Sequence, residues 1–126
     1  MTEPVFNKIA IIGAGLIGAS IARAAVQYGA AGTVSLYDSS EDVRLRAAGI
    51  ALGDVADNLA TAVAEADCVF LCVPVGALQA VAADAVPLMK AGAVLTDVGS
   101  VKGQATEALA AAADGRGHII PGHPIA

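Results

Sequence analysis

The chain has 126 residues, 56% of them hydrophobic and only 3% aromatic, and a formal net charge of −5. That length suits one domain of about 100 to 150 residues and leaves no room for two substantial lobes. Seven scattered Lys and Arg residues argue against a nucleic-acid surface built on phosphate neutralisation. Glycines or charges break every apolar stretch well short of the roughly 20 residues that span a bilayer, so no membrane partner is expected.

With so few aromatics, the core must come from Ala, Val, Ile and Leu, as in buried parallel strands covered by Ala-rich helices. The N-terminus carries Glu3 and Pro4 and lacks the basic-then-apolar layout of a signal peptide. A cytoplasmic protein is expected.

Lys8 to Ile12 reads as a first strand entering Gly13-Ala14-Gly15-Leu16-Ile17-Gly18, and Ala19 to Tyr28 as a helix closed by Gly29. Thr33 to Tyr37 is a second strand ending at Asp38. Ser39 or Ser40 then offers an N-cap, Glu41 and Asp42 suit a first helical turn, and Gly49 marks the stop. A short edge strand fits Asp54 and Val55, and Asn58 or Thr61 could cap a helix ending near Ala66. Cys68 to Val73 is a continuous apolar run ended by Pro74, as expected of a central parallel strand. Gly76 to Met89 is helical in pattern, with Pro87 set to end or kink it. Ala93 to Thr96, Lys102 to Ala113 and His118 to Ile120 complete the alternation as strand, helix and strand. Such alternation predicts a single Rossmann-type domain over residues 1–126, an α/β doubly wound parallel sheet.

Cys68 and Cys72, four strand steps and so about 13 Å apart, exceed the roughly 7 Å that a disulfide tolerates. Both are expected to be small buried hydrophobes, and no metal site is expected.

Gly13, Gly15 and Gly18 form G-x-G-x-x-G between the first strand and the first helix. The first permits the tight turn, the second lets a pyrophosphate approach the backbone, and the third allows close helix-to-strand packing. The N–H groups and macrodipole at the helix start favour the anion, so Gly13, Ala14, Gly15, Leu16, Ile17 and Gly18 are candidate cofactor contacts. Asp38, 20 residues beyond Gly18, is placed to accept from the adenosine ribose hydroxyls. Its charge repels a 2′-phosphate, which favours NAD; Ser39 could bond such a phosphate and leaves NADP open. Arg44 is expected to face solvent or pair with Glu41 or Asp42.

Val73-Pro74-Val75, at the end of the fourth strand, lies where ligands cross such a sheet, although a proline merely ending a strand reads equally well. Gly99 and Ser100 follow the fifth strand. Gly99 permits close cofactor approach, and Ser100 serves either as a helix N-cap or as an active-site hydroxyl. Asp97 could fix this loop. His123, in Pro121-Gly122-His123-Pro124 after the sixth strand, is the side chain best suited to proton transfer near neutral pH. His118 has the weaker case, at the opposite edge.

IAIIGAGLIGASIARA from Ile9, CVPVGA from Cys72, TDVGSVK from Thr96 and PGHPIA from Pro121 together resemble the prephenate/arogenate (cyclohexadienyl) dehydrogenase family of tyrosine biosynthesis. D-x-G-S-x-K followed by G-H-P is the specific part. The resemblance implies oxidative decarboxylation of prephenate or arogenate with hydride transfer to NAD(P). His123 would take or polarise the proton of the substrate C4 hydroxyl, with Ser100 hydrogen-bonding beside it. It further implies a second, mostly helical domain that forms a homodimer and supplies substrate contacts. The chain is thus expected to be a truncated cofactor-binding domain, inactive by itself. Two other readings compete: another dehydrogenase, such as a β-hydroxyacid dehydrogenase or imine reductase, and a non-catalytic nucleotide-sensing module, which would need neither G-S-x-K nor G-H-P.

Overall fold

The structure, a computed structural model, describes residues 3–51, 53–98, 103, 107, 109–111 and 118–120. Its elements run β1 (Phe6–Ile12), α1 (Leu16–Gln27), β2 (Ala31–Tyr37), α2 (Glu41–Gly49), β3 (Asp54–Val55), α3 (Leu59–Val63), β4 (Cys68–Leu71), α4 (Val75–Ala85), β5 (Val94–Asp97) and β6 (His118–Ile120). All strand pairings are parallel, in the order β3-β2-β1-β4-β5-β6. This is the doubly wound sheet that strand–helix alternation predicts. The chain moves outward from β1 to β3 and then crosses back to β4, so the order reverses between β1 and β4. A crevice opens above their carboxyl ends.

Alternation along β1 divides the core. Ile9 and Ile11 face α1 with Ala22, Ala25, Val34, Leu36 and Cys68. Ala10 and Ile12 face the opposite layer, with Val69, Leu71, Leu78, Ala82, Leu95 and Leu109. Each fully buried Ile or Leu contributes roughly 1.5–3 kcal/mol, and the buried helix positions are mostly Ala, whose small side chain lets a helix sit close to the sheet. Among the described residues, no helix is long and apolar enough to cross a membrane.

Several boundaries depart from the sequence reading. α1 starts at Leu16 rather than Ala19, so that Gly18 lies inside the helix. At its other end, Ala30 N–H reaches the Ala25 carbonyl at 3.0 Å and Gly29 takes φ +65°, the left-handed stop that glycine favours. β1 and β2 begin earlier than expected, because ladder bonds rather than apolar composition define a strand, and the pair Phe6–Ala31 already belongs to the register. β4 stops at Leu71 instead of Val73. α3 stops at Val63, and Glu65 turns the chain at φ +61°. Pro87 does end its helix: α4 closes at Ala85, and Val86–Leu88 form a 3-10 turn.

Candidate functional site

Gly13 leaves β1 at φ +98°, its N–H donating to the Tyr37 carbonyl at 2.8 Å. A Cβ there would lie 2.3 Å from the Cys72 carbonyl oxygen, and one on Gly18 would lie 2.0 Å from the Gly13 carbonyl oxygen. These two glycines let β1, β4 and α1 converge. Gly15 differs, because an added Cβ would meet nothing within 4 Å. It faces open space, as a residue against which a ligand must settle would.

Gly15 is also the N-cap of α1, with no side chain capping the helix and no acid in its first turn. The helix start therefore offers uncapped N–H groups and the positive end of its dipole to an anion. Leu16 and Ile17 stand 86% and 42% exposed at this rim. Facing them across the crevice, Cys72 N–H donates to the Ile12 carbonyl at 2.7 Å and the chain turns at Pro74, the N-cap of α4. The resulting cleft of about 460 Å³ is lined by Gly15, Leu16, Ile17, Gly18, Cys72, Val73, Pro74, Val75 and Val98. Val73 and Pro74, ambiguous in the sequence, thus form its wall.

Asp38 stands at the end of β2. Its Oδ2 accepts from Ala14 N–H at 3.0 Å and its Oδ1 from Ser40 N–H at 2.9 Å. One carboxylate ties the glycine turn to the β2–α2 turn, and each oxygen keeps a lone pair for a further donor. Ser39 is exposed, whereas Ser40 caps α2 by accepting from Val43 N–H at 3.4 Å.

Arg44 departs from expectation. It pairs with neither Glu41 nor Asp42; its Nη1 donates to the Asp38 carbonyl at 2.7 Å and its guanidinium lies 5.6 Å from the Tyr37 ring centre. A carbonyl fixed at the strand end holds it better than exposed acids in its own first turn. Cys72, expected to be buried, is a partly exposed free thiol. Burial, with Asp97 adding repulsion, pushes its pKa up to about 12, so it is a neutral wall rather than a nucleophile. Cys68, free and buried, is likewise pushed up to about 11 by burial. Sequence reasoning missed Cys72 and Val98 as lining residues; their place just beyond strands that end at this edge was the available signal.

β5 and β6 run parallel to β4, toward the same carboxyl edge. Asp97 is buried at the end of β5, and His118 opens β6 at the far edge. Gly99, Ser100 and His123 lie outside the described residues.

The family model for the prephenate dehydrogenase nucleotide-binding domain matches residues 21–126. A curated cyclohexadienyl dehydrogenase of Zymomonas mobilis is 50% identical over 123 residues, which are 97% of this chain but 42% of that protein. The chain therefore spans about two-fifths of that relative's length. Prephenate dehydrogenase from A. aeolicus, solved with hydroxyphenyl propionate and NAD+, aligns with a TM-score of 0.83 at 24% identity, covering 99% of this chain and 43% of that one. Synechocystis arogenate dehydrogenase aligns at 0.82 and 28% identity, covering 93% and 40%. Sheet order, glycine turn and a family match over most of its length agree that this chain belongs to the prephenate dehydrogenase family as a nucleotide-binding domain.

Proposed function

We propose that this chain is the NAD-binding domain of a cytoplasmic enzyme that oxidatively decarboxylates prephenate or arogenate. The observation that carries the reading is the cleft at the strand-order reversal, where the uncapped start of α1 and the open face of Gly15 oppose Val73 and Pro74 beside Asp38. These residues fit a dinucleotide: backbone N–H groups from Gly15 to Gly18 for the pyrophosphate, Asp38 and Ser39 for the adenosine ribose, and Val73 and Pro74 along the far wall. Gly99 and Ser100 would complete the contacts. Bound there, NAD supplies the hydride acceptor. His123 takes the proton of the substrate C4 hydroxyl, turning that oxygen's electrons toward a carbonyl, while the Ser100 hydroxyl orients the pair by hydrogen bonding. Loss of the carboxylate as carbon dioxide and aromatisation of the ring supply the driving force. In relatives more than twice as long, the remaining polypeptide would supply the substrate's other wall and the homodimer contact, so this chain alone is expected to bind nucleotide without turnover.

The test is a steady-state assay of the full-length protein with both substrates crossed against both cofactors, repeated with His123→Asn. The variant should lose kcat by about 100-fold or more and keep its cofactor affinity. Normal turnover in the variant would remove His123 from its role, and no turnover of either substrate by the parent would overturn the reaction.

A further inference from the structure

Asp97 closes β5 with only 1% of its surface exposed, and among the described residues it is the one buried acid or base. Its register partner on β4 is Leu71. The carboxylate therefore lies one residue behind two positions of the cleft wall, because Cys72 follows Leu71 and Val98 follows Asp97. Its negative charge is felt at that wall: burial first, and the Asp97 charge second, push the Cys72 thiol up to about 12. A charge so far from water is weakly screened by salt.

Sheet order decides which part of a dinucleotide meets this charge. The pyrophosphate goes to the start of α1, above β1, and the adenosine ribose to Asp38 at the end of β2. The other half of the molecule is left the β4 and β5 side, against Val73, Pro74 and Val98. That half ends in the nicotinamide ring, a cation when oxidised and neutral once it has accepted hydride. The proton transfer assigned to His123 and Ser100 makes no use of Asp97.

We propose that Asp97 sets which redox form of the nicotinamide ring the cleft prefers, its buried charge favouring the oxidised cation over the neutral reduced ring. This rests on the cleft holding a dinucleotide, as put forward above. The same field opposes hydride arrival, because it stabilises the cation that hydride discharges. Loss of carbon dioxide and aromatisation outweigh that opposition, and the reduced cofactor is left as the weaker ligand, ready to leave.

Calorimetric titration of the chain and of Asp97→Asn with NAD+ and with NADH tests it, since the two ligands differ only at the nicotinamide ring. The parent should bind NAD+ more tightly than NADH. Asp97→Asn, which keeps the shape and removes the charge, should lower that preference by about 10-fold, mostly through weaker NAD+ binding. A structural role would weaken both ligands alike, so equal losses would overturn the proposal, as would an unchanged preference in the variant. Tighter binding of NADH than of NAD+ by the parent would overturn it without any variant, which keeps the test decisive even where Asp97→Asn does not fold. Those three results leave the dinucleotide reading standing. Binding of neither ligand by the parent would remove both.

Discussion

Gly13 and Gly15 are both glycines of one turn, yet they answer to different constraints. At Gly13 an alanine would combine a left-handed φ with a Cβ driven into the Cys72 carbonyl, whereas at Gly15 it would meet only open space. Gly13→Ala is therefore expected to cost about 2 kcal/mol or more in folding stability and to abolish nucleotide binding. Gly15→Ala should leave stability near that of the parent and still weaken the nucleotide. Urea unfolding midpoints and calorimetric titration read the two effects separately; equal stability losses would refute the distinction. The spacing of the glycines was plain in the sequence. The collision that makes the first one obligatory was not, because Cys72 lies 59 residues further along the chain and meets Gly13 only when β4 takes its place beside β1. Arg44 teaches the same lesson, since nothing local distinguishes a solvated helix arginine from one tethered over a strand end.

At the scale of the element, α3 shows how a five-residue helix survives. Asn58 Oδ1 accepts from Thr61 N–H at 2.8 Å, and at the other end Lys8 Nζ donates to the carbonyls of Ala64 at 2.6 Å and Thr61 at 3.4 Å. A side chain from β1 thus satisfies carbonyls that a helix end leaves open. Asn58→Ala should cost about 1 kcal/mol, and Ser40→Ala less, because the Ser40 bond to Val43 N–H is long at 3.4 Å. Denaturant midpoints of the two variants check the order, and the reverse order would contradict it. Sequence offered Asn58 or Thr61, and Ser39 or Ser40, as caps; the structure selects Asn58 and Ser40, because a cap's partner is the N–H two or three residues on and only one registration places it there. Helix and strand identities were legible from periodicity. Their ends were not: the start of α1 at Leu16 depends on Gly18 packing against the Gly13 carbonyl.

The whole molecule is clasped at the edge opposite the cleft. Asp67 Oδ2 accepts from Asn7 N–H at 2.7 Å and Lys8 N–H at 3.1 Å, its Oδ1 pairs with Lys90, and its carbonyl accepts from Val94 N–H at 2.9 Å. One aspartate thereby joins the starts of β1, β4 and β5. Lys90 first, then the Lys8 and Asn7 N–H groups, hold its carboxyl below the ordinary value of 3.8. The unfolded chain then binds the proton more tightly than the folded one, so the stabilisation is complete above about pH 4 and is lost as acid protonates the folded carboxylate. Asp67→Asn should lower Tm at pH 7, with the gap to the parent narrowing as the pH falls below about 4; a gap that does not change with pH would refute the clasp. The sequence by itself determined the sheet, its glycine turn, the acid after β2 and the family, because each is written in local period and spacing. Tertiary structure alone decided that Val73, Pro74 and Cys72 wall the cleft, that Asp38 braces the turn it serves and that Arg44 crosses the end of β2. Those facts depend on which distant strands become neighbours, and that follows from burying both faces of the sheet at once rather than from any single segment.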